Sequence, residues 1–154
     1  MRIHCLLLLL CSLGVSLAAK PNVVFFFIDD MGWTDLGFMG SKYYESPHID
    51  KLAQEGMVFM NAYAAAPNCA PSRACLMSGQ YSPRHGVYTV ANSDRGSSKD
   101  RKLIPIKNTI HLAEEFVTMG EALQAGGYVT ATMGKWHLGD DPTTQGFDVN
   151  VAGK

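Results

Sequence analysis

The sequence predicts an α/β fold built on a largely parallel sheet, and three observations predict it. A continuous apolar run from Asn22 to Ile28 stops abruptly at Asp29-Asp30. Two later segments carry helix start and stop signals, and a β-branched stretch from Tyr128 to Met133 follows one of them directly. Strands that alternate with helices fold as α/β layers, and a strand covered on both faces reads as an unbroken apolar run.

Taken in order, Arg2 precedes an apolar run from Leu6 to Leu10, and Ser16-Leu17-Ala18 supplies small residues where a signal peptidase reads. Residues 1–19 are therefore expected to be a cleaved signal peptide, and residues 20–154 the mature segment of an exported protein. The apolar stretch is shorter than the roughly 20 residues a bilayer span needs, so no stable membrane anchor is expected. Val23 to Ile28 is expected to be the first strand, with a loop of glycines and aromatics from Met31 to Glu45 behind it. Ser46 as cap, Pro47 in the first turn and Gly56 at the end predict a helix whose buried stripe is Ile49, Leu52 and Ala53. Met57 to Tyr63 reads as a second strand.

Pro71 and Gly79 bracket a short helix just after Cys69, and Ala91 to Lys107 reads as an exposed polar loop. Thr118 with Glu121 three residues on has capping-box spacing, and Gly126-Gly127 stop that helix. Tyr128 to Met133 is the next expected strand, running straight into Gly134-Lys135-Trp136-His137-Leu138-Gly139.

The 154 residues fall in the size range of one domain, and a formal net charge of -1 leaves no basic excess to hold a nucleic-acid backbone. Nucleic acid is therefore not an expected partner. Of four cysteines, Cys5 and Cys11 lie in the leader, which leaves Cys69 and Cys75 and no disulfide framework. Those two could pair in an oxidising compartment, or Cys69 could carry chemistry while Cys75 packs as a small buried hydrophobe. His85 reads as structural, His48 as a first-turn helix residue and His111 as a loop residue.

Three polar groups stand at or beyond expected strand ends, where open α/β sheets bind ligands: Asp29-Asp30, the Cys69 loop, and Lys135 with His137. Adjacent carboxylates after a buried strand repel one another unless a cation takes up the charge, and hard oxygen donors suit calcium or magnesium. A solvated turn is the plainer reading of the pair. Cys69 lies at a helix N-terminus, where free N–H groups and the helix dipole favour an anion. Arg73, four residues on, shares its helical face and can present a fixed cation to the same place.

Cys69-Ala70-Pro71-Ser72-Arg73 resembles the signature of the type I sulfatases, in which the cysteine is oxidised to formylglycine. The resemblance extends to Asp29-Asp30, to Leu76-Met77-Ser78-Gly79 and to Gly134 through Gly139, in order along the mature chain. It implies an alkaline-phosphatase-like fold with a mixed, mostly parallel sheet flanked by helices. It implies that Asp29, Asp30 and the modified Cys69 bind a calcium ion, that Cys69 is the nucleophile, and that Arg73 steadies it. Lys135 and His137 would contact a sulfate ester substrate, and a formylglycine-generating enzyme would act during maturation. An aldehyde hydrate has two hydroxyls, one to attack sulfur and one to expel sulfate afterwards, which a plain serine or cysteine lacks. Family members run to several hundred residues and take further site groups from later in the chain, so the sheet and the site are expected to be incomplete here. Hydrolysis of phosphonate or phosphate esters on the same site, or a non-catalytic fragment, are the competing readings.

Overall fold

The computed structural model describes residues 19–154, so the signal peptide read in residues 1–19, with Cys5 and Cys11, lies outside the described residues save for Ala19. The elements are helices α1 (Pro47–Glu55), α2 (Cys69–Ser78), α3 (Ser82–His85) and α4 (Met119–Ala125), and strands β1 (Ala131–Met133) and β2 (Val149–Val151), with short 3₁₀ turns between them.

The expected parallel sheet is present as one two-stranded ladder, with Ala131 opposite Val149 and Met133 opposite Val151. Asp148 sets its start: its carboxylate accepts from the Thr130 N–H at 2.8 Å, while its own N–H donates to the Thr130 carbonyl at 3.0 Å. Gln124 of α4 donates to the same carboxylate at 2.8 Å, which ties helix to sheet.

The core lies between α2 and the connection from β1 to β2. Ala70, Ala74, Val87, Leu112, Trp136, Leu138 and Phe147 form it, and the Trp136 and Phe147 rings meet edge to face at 5.6 Å. Cys75 and His85 join it as expected, with His85 Nε2 3.4 Å from the Cys75 sulfur and Nδ1 accepting from the Val87 N–H. Burial is what lowers the His85 pKa below its usual 6.5.

Two expected strands are corrected. Val23 to Ile28 and Met57 to Tyr63 belong to no ladder among the described residues, and their apolar side chains are exposed. Apolar patterning shows that a segment seeks cover, but a strand also needs a neighbour to take its N–H and C=O groups. The α1 stripe is corrected too: the helix runs between the expected cap and stop, yet Leu52 is 63% exposed and no residue of α1 is buried. Ser46 Oγ serves another purpose there, accepting from Gly37 N–H and donating to Asp50.

The start and stop signals of α4 are realised in full. Thr118 and Glu121 form the capping box of α4, and Gly127 at φ 79° closes a Schellman turn in which Tyr128 N–H reaches the Leu123 carbonyl. Thr118 Oγ1 also donates to the buried Gln145 carbonyl at 2.7 Å. Replacing Thr118 by alanine removes the cap and orphans that carbonyl, so equilibrium denaturation is expected to show a loss of about 1–2 kcal/mol. Thr118→Ser keeps both bonds and should restore most of it, whereas equal losses for the two variants would contradict the capping role.

Candidate active site

Cys69 is the first residue of α2, one position further into the helix than the sequence reading placed it. Asn68 is the N-cap residue, and Ser72 Oγ donates to the Ala66 carbonyl at 2.7 Å, which fixes the chain that leads into the cysteine. Cys69 is half-buried, at the helix end where unpaired N–H groups and the dipole favour negative charge.

Arg73, one turn on, is 7% exposed. A buried guanidinium needs compensation, and three groups from two segments supply it. Nη1 donates to the Lys135 carbonyl at 2.5 Å, Nη2 reaches Asp29 Oδ1 at 3.4 Å, and the Phe27 ring centroid lies 5.1 Å from Cζ. The second Asp29 oxygen accepts from Lys135 Nζ at 2.6 Å. One carboxylate thus bridges two cations.

Lys135 and His137 owe their placement to alternation along the turn that follows β1. Trp136 and Leu138 are 2% and 0% exposed and anchor in the core, so Lys135 and His137 point the other way. Gly134 at φ 84° turns the chain out of β1, and His137 itself sits at φ 62°, a left-handed conformation uncommon for a side-chain-bearing residue. The carbonyl of Lys154 holds it by accepting from the N–H groups of Trp136 and His137.

Charge is distributed accordingly. The hydrogen bond from Lys135 is the main reason the Asp29 carboxyl lies below its ordinary 3.8, with Arg73 adding to it. The same bond is the main reason Lys135 lies above its ordinary 10.5, and the neighbouring Cys69 side chain adds a smaller contribution. Burial first, and then the charges of Lys135 and Arg73, keep His137 below 6.5 and therefore neutral at neutral pH. Its Nδ1 is buried with no hydrogen-bond partner among the described residues.

The structure therefore brings Cys69, Arg73, Asp29, Lys135 and His137 together. It does not bring in Asp30, which turns away at φ 55° with its side chain exposed. Two carboxylates have the right chemistry for a hard cation, but among the described residues no third Asp, Glu, His or Cys stands with them, and Asp29 is engaged by its two cations. Phe27 and the Lys135 carbonyl, the groups that hold Arg73, were missed by the sequence reading; the only signal for Phe27 is its place two residues before Asp29. Next to the cysteine in sequence, Ala70 joins Val90, Ile110, His111, His137 and Asp140 in lining a cleft of about 520 Å³.

The sulfatase family model matches residues 21–153, nearly all of the described chain. The chain belongs to the sulfatase family. It is 44% identical over 146 residues to a sulfatase of Formosa agariphila, covering 86% of this chain and 26% of that one. It is 40% identical over 151 residues to N-acetylgalactosamine-6-sulfatase of Mus musculus, covering 93% and 28%, and 40% identical over 140 residues to arylsulfatase G of Rattus norvegicus, covering 88% and 24%. This sulfatase chain spans about a quarter of the length of the curated relatives it matches. The crystal structure of Ps i-CgsB superposes with a TM-score of 0.70 at 35% identity over 88% of this chain and 29% of that one. A second structure, Ps i-CgsB in complex with k-i-k-neocarrahexaose, matches at a TM-score of 0.64 over 82% and 27%. The expected alkaline-phosphatase-like α/β fold holds for this family member, over the part of it that these residues cover.

The Asp29–Lys135 pair makes stability depend on pH with a definite sign. Asp29 is depressed, so its contribution is complete above 3.8 and is lost as pH falls through its lower folded value. Lys135 is raised, so its contribution is complete below 10.5 and is lost as pH rises through its higher folded value. Thermal unfolding of Asp29→Asn beside the parent is expected to show a lower midpoint at neutral pH and a gap that closes in acid. A gap of constant size across that range would contradict the assignment.

Proposed function

We propose that this chain carries the nucleophile and one cationic wall of a sulfuric ester hydrolase. The observation that carries the reading is the place of Cys69 at a helix N-terminus one turn before the buried Arg73, which donates to the Lys135 carbonyl and shares the Asp29 carboxylate with the Lys135 ammonium. The named activities of the relatives support it, and N-acetylgalactosamine-6-sulfatase favours a sulfated carbohydrate as substrate over a simple aryl sulfate. The leader in residues 1–19 supports export. Among the described residues no helix is long and apolar enough to cross a membrane.

The helix N-terminus and Lys135 bind and orient the anionic sulfate, and lower the energy of the charge that builds on its oxygens during attack. His137 stays neutral, and its unpartnered Nδ1 is the atom able to take a proton from the attacking group. Arg73 and Asp29 act as positioning residues that hold Lys135 over the cysteine. Formylglycine made from Cys69 would supply a hydrated aldehyde in which one hydroxyl attacks and the other releases sulfate. For Asp29 and Asp30 to hold a calcium ion, Asp29 would have to exchange its bonds to Lys135 and Arg73 for the ion and Asp30 would have to turn toward it, and the ion would then supply further positive charge to the site. Pro71 and Arg73 of the signature are buried in the folded chain, so a formylglycine-generating enzyme must reach it before folding.

Peptide mass spectrometry of the exported protein, made alongside such an enzyme, is expected to find the aldehyde at Cys69. Cys69→Ala should reduce turnover of 4-nitrophenyl sulfate to background, and exhaustive chelation of calcium should do the same. An unmodified thiol at Cys69 in active protein, or faster turnover of 4-nitrophenyl phosphate, would contradict the proposal.

A further inference from the structure

The loop that leaves and re-enters the lining of the cleft next to α2 is strongly basic, although the chain as a whole has a net charge of -1. Between Arg95 and Lys107 stand Arg95, Lys99, Arg101, Lys102 and Lys107 against the single acid Asp100. The loop leaves the cleft at Ala91 and returns to it at Ile110, and both residues line the cavity. Its neck is fastened at that rim. Asn108 accepts from the N–H groups of Tyr88 and Thr89 at 2.7 and 3.1 Å and donates to the carbonyls of Thr89 and Ala91, and Ser93 donates to the Ile106 carbonyl.

The five basic residues divide into two kinds. Arg101 donates to the carbonyls of Arg95 and Gly96 at 3.0 Å and pairs with Asp94 at 3.5 Å, while Arg95 donates to the Asn92 carbonyl at 2.5 Å. The arginines hold the loop in shape. Lys99, Lys102 and Lys107 are exposed, and none of them has a hydrogen bond or ion pair to any described residue. Unpaired like charges on one loop repel one another, and a ligand carrying repeated negative charge relieves that repulsion. Both ends of the loop line the cleft, where the sulfate reading above places a sulfate ester, so a long ligand held there has the loop as its neighbour.

The geometry points to an exosite: Lys99, Lys102 and Lys107 bind the neighbouring sulfate groups of a sulfated polysaccharide whose reacting unit occupies the cleft. The substrate is then a polyanion, extended from the cysteine along the cleft lip and onto the basic loop. This inference rests on the sulfate-ester reading for the identity of its ligand, but the binding it describes needs no turnover.

The test is direct binding of dextran sulfate, measured by calorimetry on the full chain at physiological ionic strength, with unsulfated dextran and double-stranded DNA as comparison probes. Dextran sulfate is expected to bind and to weaken as salt is raised, and unsulfated dextran is expected not to bind. The triple substitution Lys99→Gln, Lys102→Gln, Lys107→Gln should weaken dextran sulfate binding on the order of tenfold, as the loss of three exposed ion pairs implies. Replacing the same three lysines by arginine keeps the charge and should preserve binding, which separates recognition from folding. The glutamine variant should turn over 4-nitrophenyl sulfate at the parent rate, and Cys69→Ala should bind dextran sulfate as the parent does. Absent turnover with intact, lysine-dependent binding would sink the hydrolase reading alone and support the exosite. Undiminished dextran sulfate binding by the glutamine variant, or tighter binding of DNA than of dextran sulfate, would overturn it.

Discussion

A guanidinium buried at the base of the site is the constraint on which the other features depend. Arg73 cannot lose its charge, so the fold has to answer it with a carboxylate, a carbonyl and an aromatic face. Those groups come from two separate stretches of chain, Phe27 with Asp29 and the turn after β1, and they meet at α2. Satisfying one buried charge therefore sets the relative positions of Cys69 and Lys135. Breaking any of the three contacts would leave the charge in place and move the groups around it.

Packing supplies the other half of the placement. Trp136 and Leu138 sink into the core beside Ala70 and Ala74, on the opposite side of α2's first turns from solvent. With every second residue of that turn anchored, Lys135 and His137 have one direction left. The left-handed backbone at His137 is the local cost of that arrangement, held by two hydrogen bonds to the Lys154 carbonyl. The exposed basic loop is built in the opposite way, with few buried apolar contacts and its shape set by arginine and asparagine side chains bonding its own carbonyls.

What was legible in the sequence was what depends on near neighbours along the chain. The capping box of Thr118 and Glu121, the glycines after α4, and the proline and glycine around α2 each act within one or two turns, and each is found where it was expected. The grouping of Cys69, Arg73, Asp29 and Lys135 was legible because the ends of apolar runs and the sulfatase-like motifs point at one rim. Strand pairing was not legible, since an apolar run such as Val23 to Ile28 says nothing about which segment will lie beside it. Asp30 was read as the twin of Asp29, but adjacent residues in a turn point apart, and only one of them meets the cations. The support of Arg73 by Phe27 and by a backbone carbonyl was invisible, because both contacts join residues more than forty positions apart.

The central claim is that one pole of the molecule, made by the start of α2 with Lys135 and His137, is built to accept a sulfate group. Titration of the folded chain with inorganic sulfate, followed residue by residue by nitrogen-15 NMR, tests it without requiring turnover. Saturable shifts at the backbone amides of Cys69 and Ala70, at the Lys135 ammonium and at the His137 imidazole are the predicted result, with Lys135→Met abolishing them. Shifts confined to other parts of the surface, or none that saturate, would contradict it.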